Sequence, residues 1–319
     1  MEDIREAKPL IRKKIFGKAI GFVSYLFILL PAALGVLYVR AFGVSVVKGD
    51  AWSIVRLFDM WSSGTLGVSD LYRQHNEHRM FFPEGVELLL GSITNYDNVV
   101  EMYLIQICLL VTLVVLFLVF RDNIRSAAGL LLFVPVAFLV FSFRQYENML
   151  FGYQINFAFA QTLGVLALFL LYVLGRKSFE KLSFAAALVS ATVASFSILQ
   201  GLFVWPAGLL RLLISPLEKL KKRVFVVLWG LVGLGEWVAY FIDYKEPETG
   251  NKPSLLYALE HPLEGIEFFV RLLGSPLFGE LNAALVSGLL LAGLAVVGLL
   301  LIYKSRRLGE YSFWASILL

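Results

Sequence analysis

The apolar positions of this chain fall in long, nearly unbroken runs, not in the short alternating or three-to-four spacing of a soluble domain. Runs at 20–42, 99–120, 127–143, 152–174, 182–199, 201–214, 224–242 and 283–303 approach or exceed the ~20 apolar residues that cross a hydrocarbon core. They predict an all-α, polytopic membrane protein with eight spans. Barrel strands are excluded, because those alternate over ~10 residues. The sixth run is short and carries Pro206, so it is expected to be broken or tilted. A ninth run opens at Tyr311 and meets the last residue, Leu319, which reads as a C-terminally truncated chain of eight to nine spans. The expected organisation is a single transmembrane domain over 1–319, with large outer loops at 43–98 and 243–282.

Between the runs, two polar stretches keep an amphipathic pattern. At 49–63, Ala51, Ile54, Val55, Leu57, Phe58 and Trp61 share one broad helical face, opposite Ser53, Arg56, Asp59 and Ser63. This predicts a juxtamembrane helix lying in the interface of the first outer loop. A second such helix is expected at 263–278.

Composition agrees: 59% of residues are hydrophobic, against about 45–50% in soluble domains. Charge adds sidedness. With the N-terminus in the cytoplasm, 19 of the 28 Lys and Arg residues fall on inner segments, and the bias holds at every loop. Inner connections such as RDNIRS and GRKSFEK are short and basic, so the cytoplasmic side has no room for a nucleotide-binding domain, and no phosphate-loop pattern is present. The protein is expected in the inner or plasma membrane, with its chemistry on the extracytoplasmic face. The single cysteine, Cys108, allows no intrachain disulfide.

Candidate chemistry concentrates in the first outer loop. Asp50 lies where the chain leaves the first span, and reads equally as the N-cap of the amphipathic helix or as a general base. The run His75-Asn76-Glu77-His78-Arg79 packs two imidazoles, a carboxylate and a guanidinium into five residues. On a helix, His75 and His78 would share a face and could hold a divalent metal ion such as Mg or Mn. Glu77 would complete the ligand set or act as acid or base, and Arg79 would pair with a phosphate. The plain alternative is a solvated loop. Arg144 and Glu147 sit in the next outer turn, and Gln154, Asn156 and Gln161 carry polarity into the fourth run, with Gln200 at the following turn. Polar groups at membrane depth usually face a bundle interior or a wet cavity. Glu236, inside the seventh run, is either functional or paired with an arginine such as Arg144.

This layout resembles the GT-C superfamily of integral membrane glycosyltransferases, including the protein mannosyltransferase-like and aminoarabinose transferase-like groups. The likeness rests on a cytoplasmic N-terminus, one span, an acid (Asp50) right after it, an amphipathic helix, and the Asn76-Glu77-His78-Arg79 stretch. It covers roughly 20–242. Asp50 is followed by Ala51, where the family often has a second acid. The resemblance implies transfer of a sugar from a polyprenyl-phosphate carrier to a hydroxyl of a glycan, lipid or protein acceptor. Asp50 would be the base, and Arg79 and Arg144 would hold the phosphate. His75, His78, Glu147, Gln154 and Gln200 would line the substrate site. Membrane lipid is the other expected partner, and nucleic acid is not expected. Two alternatives stand beside it: a transporter or flippase of a lipid-linked sugar, and a non-catalytic membrane subunit.

Overall fold

A computed structural model describes residues 2–121, 127–175, 179–245 and 257–304. In chain order the helices are α1 (Glu2–Phe42), α2 (Trp52–Ser62), α3 (Val68–Leu71), α4 (Phe81–Thr94), α5 (Asn98–Arg121), α6 (Val134–Val140), α7 (Tyr146–Met149) and α8 (Ile155–Tyr172). They continue as α9 (Glu180–Ser195), α10 (Val204–Leu213), α11 (Lys219–Phe241), α12 (Tyr257–Glu260), α13 (Pro262–Gly274) and α14 (Leu281–Lys304). The only strands among the described residues are β1 (Gln74–His75) and β2 (His78–Arg79), paired antiparallel. The protein is all-α, and its long apolar helices mark it as an integral membrane protein in contact with lipid.

Among the described residues, six helical stretches are long and apolar enough to cross a membrane: Gly17–Phe42, Asn98–Arg121, Gly129–Met149, Gly152–Tyr172, Lys219–Phe241 and Leu281–Leu301. The other two expected spans are shorter. The 182–199 run becomes the 16-residue α9, about 24 Å long against a ~30 Å core. The 201–214 run becomes a 3-10 turn, Leu199–Phe203, followed by the 10-residue α10. Pro206 sits in the first turn of α10, where its missing N–H removes no intrahelical bond. Because these two elements are consecutive, counting both or neither leaves every later loop on the same side. The expected ninth run, and the loop from 246 to 256, lie outside the described residues.

The chain divides into two compact units, Met1–Ala51 with Leu90–Ala158, and Trp52–Leu89 with Phe159–Leu319. In the first, α1 packs on α5, on the 3-10 segment Ala127–Phe133 and on α6. In the second, α9, α10 and α11 pack around Trp205, Trp229, Phe184, Phe225 and Leu202. Trp229 donates through Nε1 to the Trp205 carbonyl at 2.8 Å, so its indole is satisfied in the core. Also in this unit, α13 and α14 form a tight pair. Its closeness depends on glycine: a Cβ at Gly274 would stand 2.0 Å from the Ala284 carbonyl oxygen, and one at Gly288 would stand 1.8 Å from that of Val270.

The polar stretch 43–98 is more structured than its polarity predicts. The helix expected at 49–63 runs from Trp52 to Ser62, but Ile54 and Leu57 on its apolar face are buried in protein while Trp52 and Trp61 are exposed. Residues 81–94, expected to be loop, form α4. Pro83 lies in its first turn, where proline suits a helix, and Val86, Leu89, Leu90 and Ile93 supply a helical apolar pattern behind it.

Candidate functional site

The first unit contains a cavity of about 220 Å³ at the C-terminal end of α1. Phe42, Val44, Val46, Met102, Leu150 and Phe151 give it apolar walls, and Lys48, Asn98 and Gly152 complete it. Sequence explains the shape. After Phe42 the helix stops, and Gly43–Lys48 carries no regular structure. Gly49 then takes a left-handed φ of +53°, which glycine adopts without penalty, and turns the chain into the 3-10 turn Gly49–Ala51 that bears Asp50. Asp50 is exposed, two residues beyond Lys48. The Lys48 ammonium stands 4.8 Å from the Phe151 ring centroid, a cation–π distance.

The opposite wall is the start of α5. Asp97 caps this helix, its Oδ1 accepting the Val99 N–H at 3.1 Å. The Asn98 N–H donates to Ser45 Oγ at 3.2 Å, tying the α1 exit to α5. Asn98 is 2% exposed, yet its Oδ1 is buried with no hydrogen-bond partner. One turn further, buried Glu101 presses against Gly152, where a Cβ would stand 2.2 Å from Glu101 Oε2. Position 152 therefore accepts no side chain without displacing Glu101 or Asn98. The arrangement offers an anionic group a lysine, offers a donor an open amide oxygen, and offers a chain apolar walls.

Comparison with protein-family models, with curated proteins and with solved structures finds no match to this chain. Function is therefore argued from geometry.

Of the residues singled out from sequence, Asp50, Arg144, Glu147 and Gln154 belong to this first unit. Arg144 and Glu147 are exposed, and Glu147 Oε1 accepts the Tyr146 hydroxyl at 3.1 Å. Gln154 is half-buried with its Oε1 unpartnered. His75, Glu77, His78, Arg79 and Gln200 belong to the second unit.

There the 75–79 run is a hairpin, not a helix. His75 and His78 are cross-strand partners, and Asn76, at φ +51°, makes the turn; asparagine tolerates that conformation better than most residues. As cross-strand partners His75 and His78 share one side of the hairpin, in place of the helical face expected for a metal pair. Among the described residues, no group of three or more His, Cys, Asp or Glu could hold a metal ion. His78 Nδ1 accepts the Leu199 N–H at 3.3 Å, and its Nε2 lies 3.8 Å from Glu77 Oε1. The Leu199 bond places the neighbouring Gln200, which is exposed, beside the hairpin.

Arg79 has a different task from the expected phosphate contact. Its guanidinium is buried and donates to three backbone carbonyls, those of Tyr240 (2.7 Å), Tyr72 (2.7 Å) and Ile242. It also stacks 4.5 Å from the Tyr72 ring centroid. The Tyr72 hydroxyl donates to the Ala239 carbonyl at 2.5 Å, and the Arg79 N–H donates to the Tyr240 hydroxyl at 3.0 Å. The hairpin thus satisfies the C-terminal carbonyls of α11, groups that a helix cannot satisfy internally. In this conformation Arg79 has no face turned to a phosphate.

Sequence reasoning missed several groups. Arg73 pairs bidentately with buried Glu84 on α4, at 2.9 and 3.0 Å. Burial pushes the Glu84 carboxyl up to about 7, against the lowering effect of Arg73. Glu236 was expected to be either functional or paired with an arginine such as Arg144. Its Oε1 accepts the Thr192 hydroxyl, and no ion pair reaches it among the described residues. Lys48 and Asn98 were also missed. Their only sequence signal is that each flanks the end of an apolar run, and flanking polar residues are common at membrane boundaries.

Proposed function

We propose that this protein is a membrane glycosyltransferase that moves a sugar from a polyprenyl-phosphate-linked donor to an acceptor hydroxyl on the extracytoplasmic face. The observation that supports the reading is the cavity at the exit of α1, where Lys48, two residues from exposed Asp50, and the open Asn98 amide oxygen meet apolar walls. A polyprenyl phosphate is an anion on an apolar chain, and that pairing matches the lining. Lys48 neutralises the phosphate and its growing charge as the sugar departs. Asp50 removes the proton of the acceptor hydroxyl as that oxygen attacks the anomeric carbon. Exposed Arg144, in the same unit, is the second cation available to the donor. Arg79 and the imidazoles of the hairpin take no part in this reading, and no step runs through a metal.

The test is transfer of radiolabelled sugar from a polyprenyl-phosphate donor by purified protein in nanodiscs. Asp50→Asn is expected to lower the rate by about 10² or more, the usual contribution of a general base, with donor binding retained. Glu77→Gln is expected to leave the rate within a few-fold of wild type. Full activity of Asp50→Asn removes the base from this reading. Movement of labelled donor between leaflets without transfer would replace the enzyme with a transporter.

A further inference from the structure

Beyond the cavity, the buried face of α5 carries further polar groups. Asn98 and Met102 line it, and Gln106 follows Met102 by four residues, one turn or about 6 Å deeper along α5. Gln106 is 3% exposed, and both its Oε1 and its Nε2 are buried without a hydrogen-bond partner. Asn98 Oδ1 is in the same state. Glu101, also buried, lies between them in sequence on this side of the helix. Two glycines make room for these side chains. Gly35 of α1 is the place where a Cβ would stand 2.4 Å from Gln106 Oε1, and Gly152 does the same for Glu101. At Gly35, backbone has been brought close to an amide that then finds no hydrogen-bond partner.

Buried amides without partners are rare, and lipid chains supply none. An amide with its carbonyl and its NH₂ both open needs one donor and one acceptor, and a hydroxyl group supplies both. Polar, roomy sites of this kind take up water. We infer that the buried face of α5 from Asn98 to Gln106 is a hydrated recess that continues the cavity into the membrane and binds hydroxyl groups, those of water or of a sugar. It stands independently of the transfer reaction proposed above, because it follows from the open amides alone.

The test uses nanodiscs, where both faces are reachable, without any donor. On a Cys108→Ser background, single cysteines are placed at Asn98, Gln106, Ile107 and Val114 and treated with a charged, water-soluble thiosulfonate. Ile107 and Val114 are the outward-facing controls on the same helix. Since only the thiolate reacts and it does not form in lipid, Asn98→Cys and Gln106→Cys are expected to react at least about tenfold faster than both controls. Equal rates at Gln106→Cys and Ile107→Cys overturn the recess. A second measurement needs no substitution. Radiolysis of bound water is expected to oxidise Met102 well before Met149, although both are buried, at 2% and 0% exposure. Equal oxidation of the two also overturns it. Slowing of the Gln106→Cys reaction by a concentrated sugar alcohol assigns the site to sugar hydroxyls; an unchanged rate, with labelling intact, assigns it to water.

Discussion

The hairpin at 74–79 and the α5 face from Asn98 to Gln106 are both polar and both set among apolar helices, yet they are built on opposite terms. At the hairpin's Arg79 the hydrogen-bonding capacity is spent inside the protein: the guanidinium meets three carbonyls, and Tyr240 and Tyr72 bond beside it at the end of α11. On α5, Asn98 and Gln106 are as deeply buried as Arg79 but keep amide atoms open, and Asn98 lines a cavity. Dense charge in a sequence drew attention to the first region. Incomplete satisfaction singles out the second. A buried polar group that is fully bonded holds structure, while one left open at a cavity has its partner still to come.

The comparison breaks most easily at Arg79. Arg79→Ala would orphan the carbonyls of Tyr72, Tyr240 and Ile242 and is expected to cost about 3 kcal/mol or more, each buried unpaired acceptor being worth ~1–3. Arg79→Lys should recover only part, since one ammonium lacks the planar fork. Thermal unfolding in nanodiscs measures this, and a neutral Arg79→Ala would return Arg79 to the candidate ligands.

Glu84 gives a pH-dependent version of the same contrast. Its folded-state value of about 7 lies above the ordinary 4.5, so the folded state binds the extra proton between the two. Stability from this group is therefore complete below pH 4.5, falls as pH rises toward 7, and is level above it. The difference between those values corresponds to about 3 kcal/mol at most, at 1.36 kcal/mol per unit. Glu84→Gln should flatten that slope in a pH series of unfolding midpoints. A slope unchanged in the variant would place the titration elsewhere.

Gly152→Ala forces a Cβ to 2.2 Å from Glu101 Oε2 and 3.0 Å from the Asn98 carbonyl, and overpacking of this kind costs about 1–3 kcal/mol. Its effect on ligand retention should exceed its effect on hairpin integrity, read by hydrogen exchange at Arg79. The smallest change is expected at Lys48. Lys48→Met should weaken binding of a short-chain isoprenyl phosphate by about tenfold, near 1.4 kcal/mol, in a calorimetric titration. The same substitution should leave stability within ~0.5 kcal/mol, as for most surface positions.

Much of the fold was legible because a membrane imposes a crude and strong rule. Apolar runs long enough to cross it announce themselves, and six of them fold as expected. The two that became α9 and the 199–213 element are as apolar as the others, but helix length is decided by where packing and turns stop the helix, which hydropathy does not report. The helix α4 was hidden by Pro83 and by two acids, Glu84 and Glu87, that read as loop polarity and are in fact buried. The burial of Glu84 is matched by Arg73, eleven residues earlier in the chain, a partner that no local pattern names.

The sequence by itself determined the class of this protein, its membrane-crossing helices and the position of Asp50 at the end of the first of them, because hydrophobic length and local turn chemistry are properties of neighbouring residues. Tertiary structure alone decided what the polar groups are for. His75, His78 and Arg79 were drawn into a hairpin that locks a helix end some 160 residues away in sequence. Lys48 and Asn98, unremarkable in the chain, were left lining a cavity, and Asn98 and Gln106 were left with amide atoms still open. The reason is that a hydrogen bond's value depends on whether its partner is already present, and partners are assigned only when distant segments meet.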